Sequence, residues 1–550
     1  MLLHLLREDL RHFRWPLVMW CAVVAAEAVA TAVAPQTAGN EPLYAAVSTL
    51  GWVLYDALLL AMLFLVPIIV QAHPAVGSEA FWLTRPVPRQ TVWLEKSVLL
   101  GAFMVVVPVA AQMILMATSR IPFAEAVRVA TETAVARALL VAALMAFAST
   151  TASLPRFALA LAAAVGAFLV WAVGSITLME LRGPSEPPAA VALPHLPNTM
   201  LPVYLELGLA VGLVLAAALQ YLTRLRRIAV PAAAIAIVAS FFGVDYLPEV
   251  RPPAPPTWTA STDRGRLVMR SPQLTFDRAS AWPEGRDAWG GAVADIGVSD
   301  LPGGWIAELT LLDGSFTRPD GTTIEGRGFG SSLAGTSSMS FTPSSLLAMR
   351  ELLGVERVVM RLPGSEGRVP ALYARAADLQ TAASATGRYQ GRFAVSLTRL
   401  QVVRVLPLRT GAAFQDGSYR FTIADLDTAM GRSLRAGVIR ASSALDSAPA
   451  PTFEFCARNR ARSEAVLGWL TSASGYVPGI PGVSFGTFSR TGLQMEAADV
   501  VFQVPASEET PSITLDAAWF SQADLVVIRE TFDGVIVRTL DVPHVRLDVR

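Results

Sequence analysis

Four ionisable side chains fall within otherwise apolar stretches of this 550-residue chain: Glu27, Asp56, Arg137 and Glu206. A charge at depth in hydrocarbon is costly, and it normally faces a helix-bundle interior or a water-filled cavity. Glu27 and Asp56 lie about seven and eight residues from the same-side ends of two successive apolar runs, roughly 10–12 Å below one surface at ~1.5 Å per residue. Arg137 and Glu206 sit at the same-side ends of two later runs and are placed to pair with them. Two readings follow: a polar vestibule on a substrate path, open to that surface, or interhelical polar contacts that hold the packing.

Catalytic patterns are sparse. The Gly-x-x-x-x-Gly-Lys-Ser/Thr loop that would hold nucleotide phosphates is missing, as is His-Glu-x-x-His. His4, His12, His73, His195 and His544 are scattered, and Cys21 and Cys456 are too far apart in kind and place to form a thiolate metal site. Asp295, Asp300, Asp313, Asp320 and the Asp425-Leu426-Asp427 pair lack the spacing of a calcium loop and read as turn aspartates. No catalytic residue, cofactor or metal is expected, and the chain is not read as an enzyme. Trp258, Trp282, Trp289 and Trp305 form either an aromatic ligand platform or the filling of a β core.

The elements that must position these residues follow from composition. The chain is 53% hydrophobic and 16% charged, with net charge +0. Soluble domains carry about 25% charged residues, and a balanced charge gives no bulk attraction to nucleic acid. Residues 1–14 read as an amphipathic helix lying on a membrane, with Leu2, Leu3, Leu5, Leu6, Leu10 and Phe13 set against Arg7, Glu8, Asp9, Arg11, His12 and Arg14. A helical bundle follows over 15–246, with candidate spans at about 15–34, 48–70, 97–117, 134–153, 157–179, 203–222 and 228–245. The bundle thus has six or seven helices. Arg7, Arg11, Arg14, Arg85, Arg89, Lys96, Arg156, Arg224, Arg226 and Arg227 fall on one side and only Arg120, Arg128 and Arg182 on the other, which puts the N-terminus inside a bacterial inner membrane. Seven spans then place the C-terminal region outside the cytoplasm; six would place it inside. Lys96 is the only lysine, and in so alanine-rich a chain that reads as genomic composition.

A stiff proline-rich spacer occupies 247–257. Beyond it the pattern alternates with period two between Gly, Asp and Pro breaks, so a mainly β extracytoplasmic region is expected, as two β-sandwich-like lobes over 258–410 and 411–550. Asp320-Gly321 and Asp533-Gly534 read as hairpin turns, and 344–354 and 463–470 as helices.

Glu79-Ala-Phe-Trp-Leu-Thr-Arg-Pro-Val-Pro-Arg89, with Lys96 opening the next run, and the opening Leu5-Leu-Arg-Glu-Asp-Leu-Arg-His-Phe-Arg-Trp-Pro16 resemble ABC-2-type transporter permeases over roughly the first 230 residues. The resemblance implies that Glu79, Phe81, Trp82, Leu83, Arg85 and Arg89 dock a separate ATP-binding cassette subunit, in a homo- or heterodimeric transporter. From the residues alone, Phe81 and Trp82 serve equally as interfacial anchors and the arginines as inside charges. The β region departs from the family pattern. The expected function is therefore a permease-like subunit with an appended β domain. The alternative is a non-transporting envelope sensor or scaffold that binds a partner through that domain.

Overall fold

The computed structural model describes residues 1–72, 88–151, 153–159, 161–162, 201–223, 265–276, 289–301, 303–327, 343–359, 369–427, 433–443, 452–472, 492–502 and 513–549. The N-terminal part is helical: α1 (Leu2–His12), α2 (Arg14–Val33), α3 (Glu41–Gln71), α4 (Arg89–Leu100), α5 (Val107–Thr118) and α6 (Phe123–Thr150). A π-helical turn, Gly101–Val106, joins α4 to α5.

Among the described residues four helices are long and apolar enough to cross a membrane: Arg14–Thr37, Glu41–Gln71, Gln90–Thr118 and Phe123–Thr150. Six or seven were expected. The run at 203–222 does form a continuous helix, Leu201–Thr223, whose apolar part Leu207–Gln220 is shorter than a span. The run at 228–245, the spacer at 247–257 and most of 157–179 lie outside the described residues.

Trp20, Leu58, Met62, Val66, Leu99, Met104, Met145 and Leu213 fill the bundle core. The π turn explains one contact there. Val107 N–H bonds to Ala102 O, five residues back. In that register the donor for Phe103 O would be residue 108, which is proline and has no N–H. The buried Trp20 indole N–H supplies the missing donor, at 2.9 Å.

The helices alternate in direction, so the connections at 34–40 and 119–122 share one end of the bundle, the far end. α1 and the α3–α4 connection share the other, the near end. Gln71 Nε2 donates to Thr151 Oγ1 there at 2.9 Å, tying the close of α3 to the close of α6.

The C-terminal part is mostly β-sheet, in sixteen strands among the described residues. It is not two separate sandwiches. β9 (Thr386–Pro407) and β16 (Ala523–Val549) pair antiparallel along almost their whole length. β16 also pairs with β2 (Gln273–Phe276), and a hydrogen-bonded circuit runs through β3 (Trp289–Ala294), β8 (Val369–Arg375), β6 (Thr323–Arg327) and β5 (Trp305–Thr317) back to β9. At the start of β16, on the edge opposite β9 that β2 takes at its end, the sheet continues through β13 (Thr452–Asn459), β14 (Glu464–Ser472), β15 (Gly492–Phe502), β12 (Ser433–Ser442) and β11 (Tyr419–Asp427) to β10 (Ala413–Asp416).

This one sheet carries two main cores. The ring encloses Phe276, Leu311, Phe316, Leu372, Tyr389 and Phe393. The continuation encloses Phe421, Phe455, Val500, Phe502, Trp519 and Leu525. β16 serves both: Leu525 and Val527 lie in the second core, and Leu540, Val545 and Leu547 in the first.

Two expected elements change type. Asp533-Gly534 is a bulge inside β16, where the register with β9 slips between Phe532 and Gly534. Asp320-Gly321 is a true turn: Gly321 has φ +83°, and Asp320 Oδ1 accepts from Thr322 N–H at 2.8 Å. Residues 463–470 form strand β14 rather than a helix, because β13 and β15 pair with both of its edges. The 344–354 helix is present as Pro343–Leu353, closed by Gly354 at φ +63°.

Leu547→Ala removes a fully buried side chain from the ring core although it lies near the end of the chain. We expect a loss of about 2–5 kcal/mol, read as a lowered thermal midpoint of the β region.

Candidate functional site

At the near end the site is built from α1 and α4. On α1, Leu5, Leu6, Asp9, Leu10 and Phe13 recur at helical spacing and face the bundle. Asp9 therefore belongs to the inward face, not to the polar face expected from its type. It is there because Lys96 meets it. The Lys96 ammonium is fully buried, ion-paired to Asp9, and 3.3 Å from Glu95 Oε2. Lys96 lies in the second turn of α4, which starts at Arg89, so it does not open that helix. One ammonium thus lies between two carboxylates. Glu95 Oε1 and Trp93 Nε1 beside it are buried without a hydrogen-bond partner among the described residues. Composition had made Lys96 look incidental; its burial makes it the most constrained charge of the near end.

Of the docking-loop residues, Glu79, Phe81, Trp82, Leu83 and Arg85 lie outside the described residues. Arg89 is the first residue of α4, and its side chain lies outside them as well. The described chain leaves α3 and re-enters at α4 on the near end, two turns before Lys96.

The intramembrane charges do not form one group. Glu27 is half-buried on α2 and accepts from Thr31 Oγ1 at 3.2 Å. Arg137 on α6 lies within electrostatic reach of Glu27 and of Tyr55. Asp56 falls on an exposed face of α3 beside Trp52 and Tyr55, and makes no hydrogen bond or ion pair among the described residues. The side chain of Glu206 lies outside the described residues. Glu27 and Arg137 thus lie within electrostatic reach of each other, and Asp56 faces away.

The far end carries the β region. Ala497 N–H donates to the Tyr44 hydroxyl at 3.1 Å, and Ser443 Oγ donates to Glu132 at 2.9 Å. Gln415 Nε2 donates to the Arg120 carbonyl at 2.9 Å, which a left-handed Arg120 (φ +59°) turns towards it. Arg435 lies 2.9 Å from Asp499 and 3.6 Å from Glu41. Gly437 packs directly on the Pro35 carbonyl, an approach that any side chain would block. Met116, Ile121, Ala126, Val129, Ala130 and Ala441 close a small apolar cluster across the junction. Apart from Arg120, none of these residues stood out in the sequence, since the contacts across the junction join segments hundreds of positions apart.

Two further features concern chemistry in the β region. Gly482-Val-Ser-Phe-Gly486 has the Gly-x-Ser-x-Gly form of a hydrolase nucleophile turn, in a chain where no such turn was expected. It lies outside the described residues. The described elements on either side, β14 and β15, pair with each other antiparallel. Glu454 on β13 shares a face with Glu530 on β16, with Cys456 and Ile528 beside them. An edge of Glu454 reaches the surface, yet burial and then the Glu530 carboxylate push its pKa up to about 8.

Comparison with family models, with curated proteins and with solved structures finds no match to this chain.

Lys96→Met strands two buried carboxylates and should cost about 3–5 kcal/mol. Asp9→Asn in the same chain should recover part of that loss. Thermal denaturation in detergent of the single and double variants checks both. A second expectation concerns pH. The folded pKa of Glu454 lies above its ordinary 4.5, so its contribution is complete below that value and is lost as pH rises through about 8. The β region should melt progressively lower over that rise, and Glu454→Gln should remove this part of the dependence.

Proposed function

We propose that this chain is the membrane-spanning, permease-like subunit of an ABC-type transporter in a bacterial inner membrane. A separate ATP-binding subunit docks at the near end through the 73–96 segment, and the chain works as a homo- or heterodimer. The observation that carries this reading is the buried Asp9–Lys96–Glu95 cluster. It locks an amphipathic N-terminal helix to α4, the helix in which the docking segment ends, so a push on that segment would move α1, α4 and the bundle together. Helix α2 begins where α1 ends and lies against the π turn, which offers a path for such a motion into the core.

In this reading the near end is cytoplasmic, as its arginines suggest, and the β region at the far end is extracytoplasmic. Glu27 and Arg137 then lie below the outer surface, on the way to the β region. The β region would receive, hold or hand on what the bundle moves.

A second reading has its own support in the far-end junction. The contacts of Tyr44, Glu132, Arg435 and Gly437 fasten the β region to three helix ends, as a sensor or scaffold that signals through an anchor would need. The two readings separate in one experiment. Native protein and a variant with Phe81, Trp82, Arg85 and Arg89 changed to Ala are purified in mild detergent and exposed to a photoreactive ATP analogue. A labelled partner that follows the native chain and not the variant supports the transporter. Absence of any labelled partner from both, with both well folded, favours the sensor or scaffold.

A further inference from the structure

The inward face of α1 is fully committed. Leu5, Leu6, Leu10 and Phe13 pack on the bundle and Asp9 is tied to Lys96. The opposite face is therefore what α1 presents to its surroundings. His4, Arg7 and Arg11 follow at intervals of three and four residues, which on α1 makes a single stripe, and Arg14 opens α2 just past the bend at Phe13. All four are exposed. Among the described residues Arg7, Arg11 and Arg14 form no ion pair, and Glu8 is the one acid beside them that points outward.

Two apolar side chains flank the stripe. Leu3 is 79% exposed and Trp15 is 65% exposed, and the Arg14 guanidinium lies 5.5 Å from the Trp15 ring. This combination selects a solvent. Water or an acidic protein surface would satisfy the arginines and leave Leu3 and Trp15 exposed. Hydrocarbon would do the reverse. The headgroup layer of a bilayer satisfies both, with indole and leucine at the acyl boundary and guanidinium among phosphates. The stripe also lies at the right level, because α2, the first helix able to cross a membrane, starts at Arg14.

We propose that Arg7 and Arg11 on the outward face of α1, together with Arg14 at the start of α2, bind anionic phospholipid headgroups. Guanidinium groups present forked donors that match phosphate oxygens, and Arg7 and Arg11 one turn apart, with Arg14 at the head of α2, reach neighbouring headgroups. The Asp9–Lys96 pair sets the rotation of this face. α1 cannot roll to turn the stripe inward without separating the two buried charges. The inference needs a bilayer but no ATP-binding partner.

The test uses the full chain in lipid nanodiscs made from a mixture of phosphatidylcholine and phosphatidylglycerol. Native mass spectrometry then counts the lipids retained on release. The intact protein should keep phosphatidylglycerol in preference to phosphatidylcholine. Arg7→Gln, Arg11→Gln and Arg14→Gln together should reduce that preference on the order of tenfold or more. The matching triple change to Lys should keep most of it, and added salt should weaken it. Inorganic phosphate at the same phosphate concentration should not displace the lipid, since it lacks the acyl boundary that Leu3 and Trp15 occupy.

Equal lipid retention by the intact protein and the Gln variant would overturn the proposal, as would displacement by inorganic phosphate. Unchanged lipid preference together with loss of a co-purifying protein would also overturn it, and would make the stripe a protein-binding face. Should the Gln variant fail to fold, the salt titration of the intact protein decides: a lipid preference indifferent to salt refutes the arginine stripe.

Discussion

The near end depends on one ammonium held out of water between two carboxylates. Lys96 and Glu95 stand on α4 and Asp9 on α1, so the cluster joins segments 87 residues apart. In an apolar surround the separated charges have no good alternative partner, and breaking such a pair leaves an uncompensated buried charge. The pair therefore sets how α1 lies on α4. A second polar contact, Trp20 to Phe103, sets how α2 lies on the π turn of the same long helix. Two fixed points between the N-terminal pair of helices and the Gln90–Thr118 helix set their register, where leucine packing alone would permit sliding.

The far end follows from helix length. α3 has 31 residues and α6 has 28, which makes them ~46 and ~42 Å long at 1.5 Å per residue. A hydrocarbon core is about 30 Å thick. The surplus is where the β region attaches. Tyr44 lies in the first turns of α3, and Ala126, Val129, Ala130 and Glu132 in the first turns of α6. The contacts there mix small apolar side chains with hydrogen bonds and ion pairs, as suits a surface next to water. Arg137 comes only a turn and a half after Glu132, so the polar pair with Glu27 begins close beneath the junction.

Within the β region the same local signal had two outcomes. Asp320-Gly321 closes a turn and Asp533-Gly534 does not, although both stand between β-type runs. The difference is the partner strand. β9 is 22 residues long and continues past the point opposite Asp533, so β16 keeps its ladder and absorbs the glycine as a bulge. β5 has no such partner past Thr317, and its chain folds back on itself. Residues 463–470 show the same override: a helical pattern becomes β14 because strands bond to both of its edges. Long shared strands also explain why two cores belong to one sheet.

Much of the architecture was legible in the amino-acid sequence. Apolar runs near twenty residues marked helices able to cross a membrane, alternation after residue 258 marked a β region, and Gly354 marked the close of the Pro343–Leu353 helix. These are periodicities and caps, which a single segment carries by itself. The pairings were not legible. Asp9 read as a surface acid until Lys96 was found opposite, Asp56 read as an acid placed to pair with Arg137 or Glu206 until it was found to face away, and the end of the bundle that bears the β region hung on one short apolar run. Tertiary structure decided these, through Tyr44 with Ala497 and Arg120 with Gln415, 453 and 295 positions apart. The physical reason is that a charge or a backbone donor is satisfied only by a specific group at hydrogen-bond distance. Which group that is depends on how whole surfaces fit, and no local pattern records it.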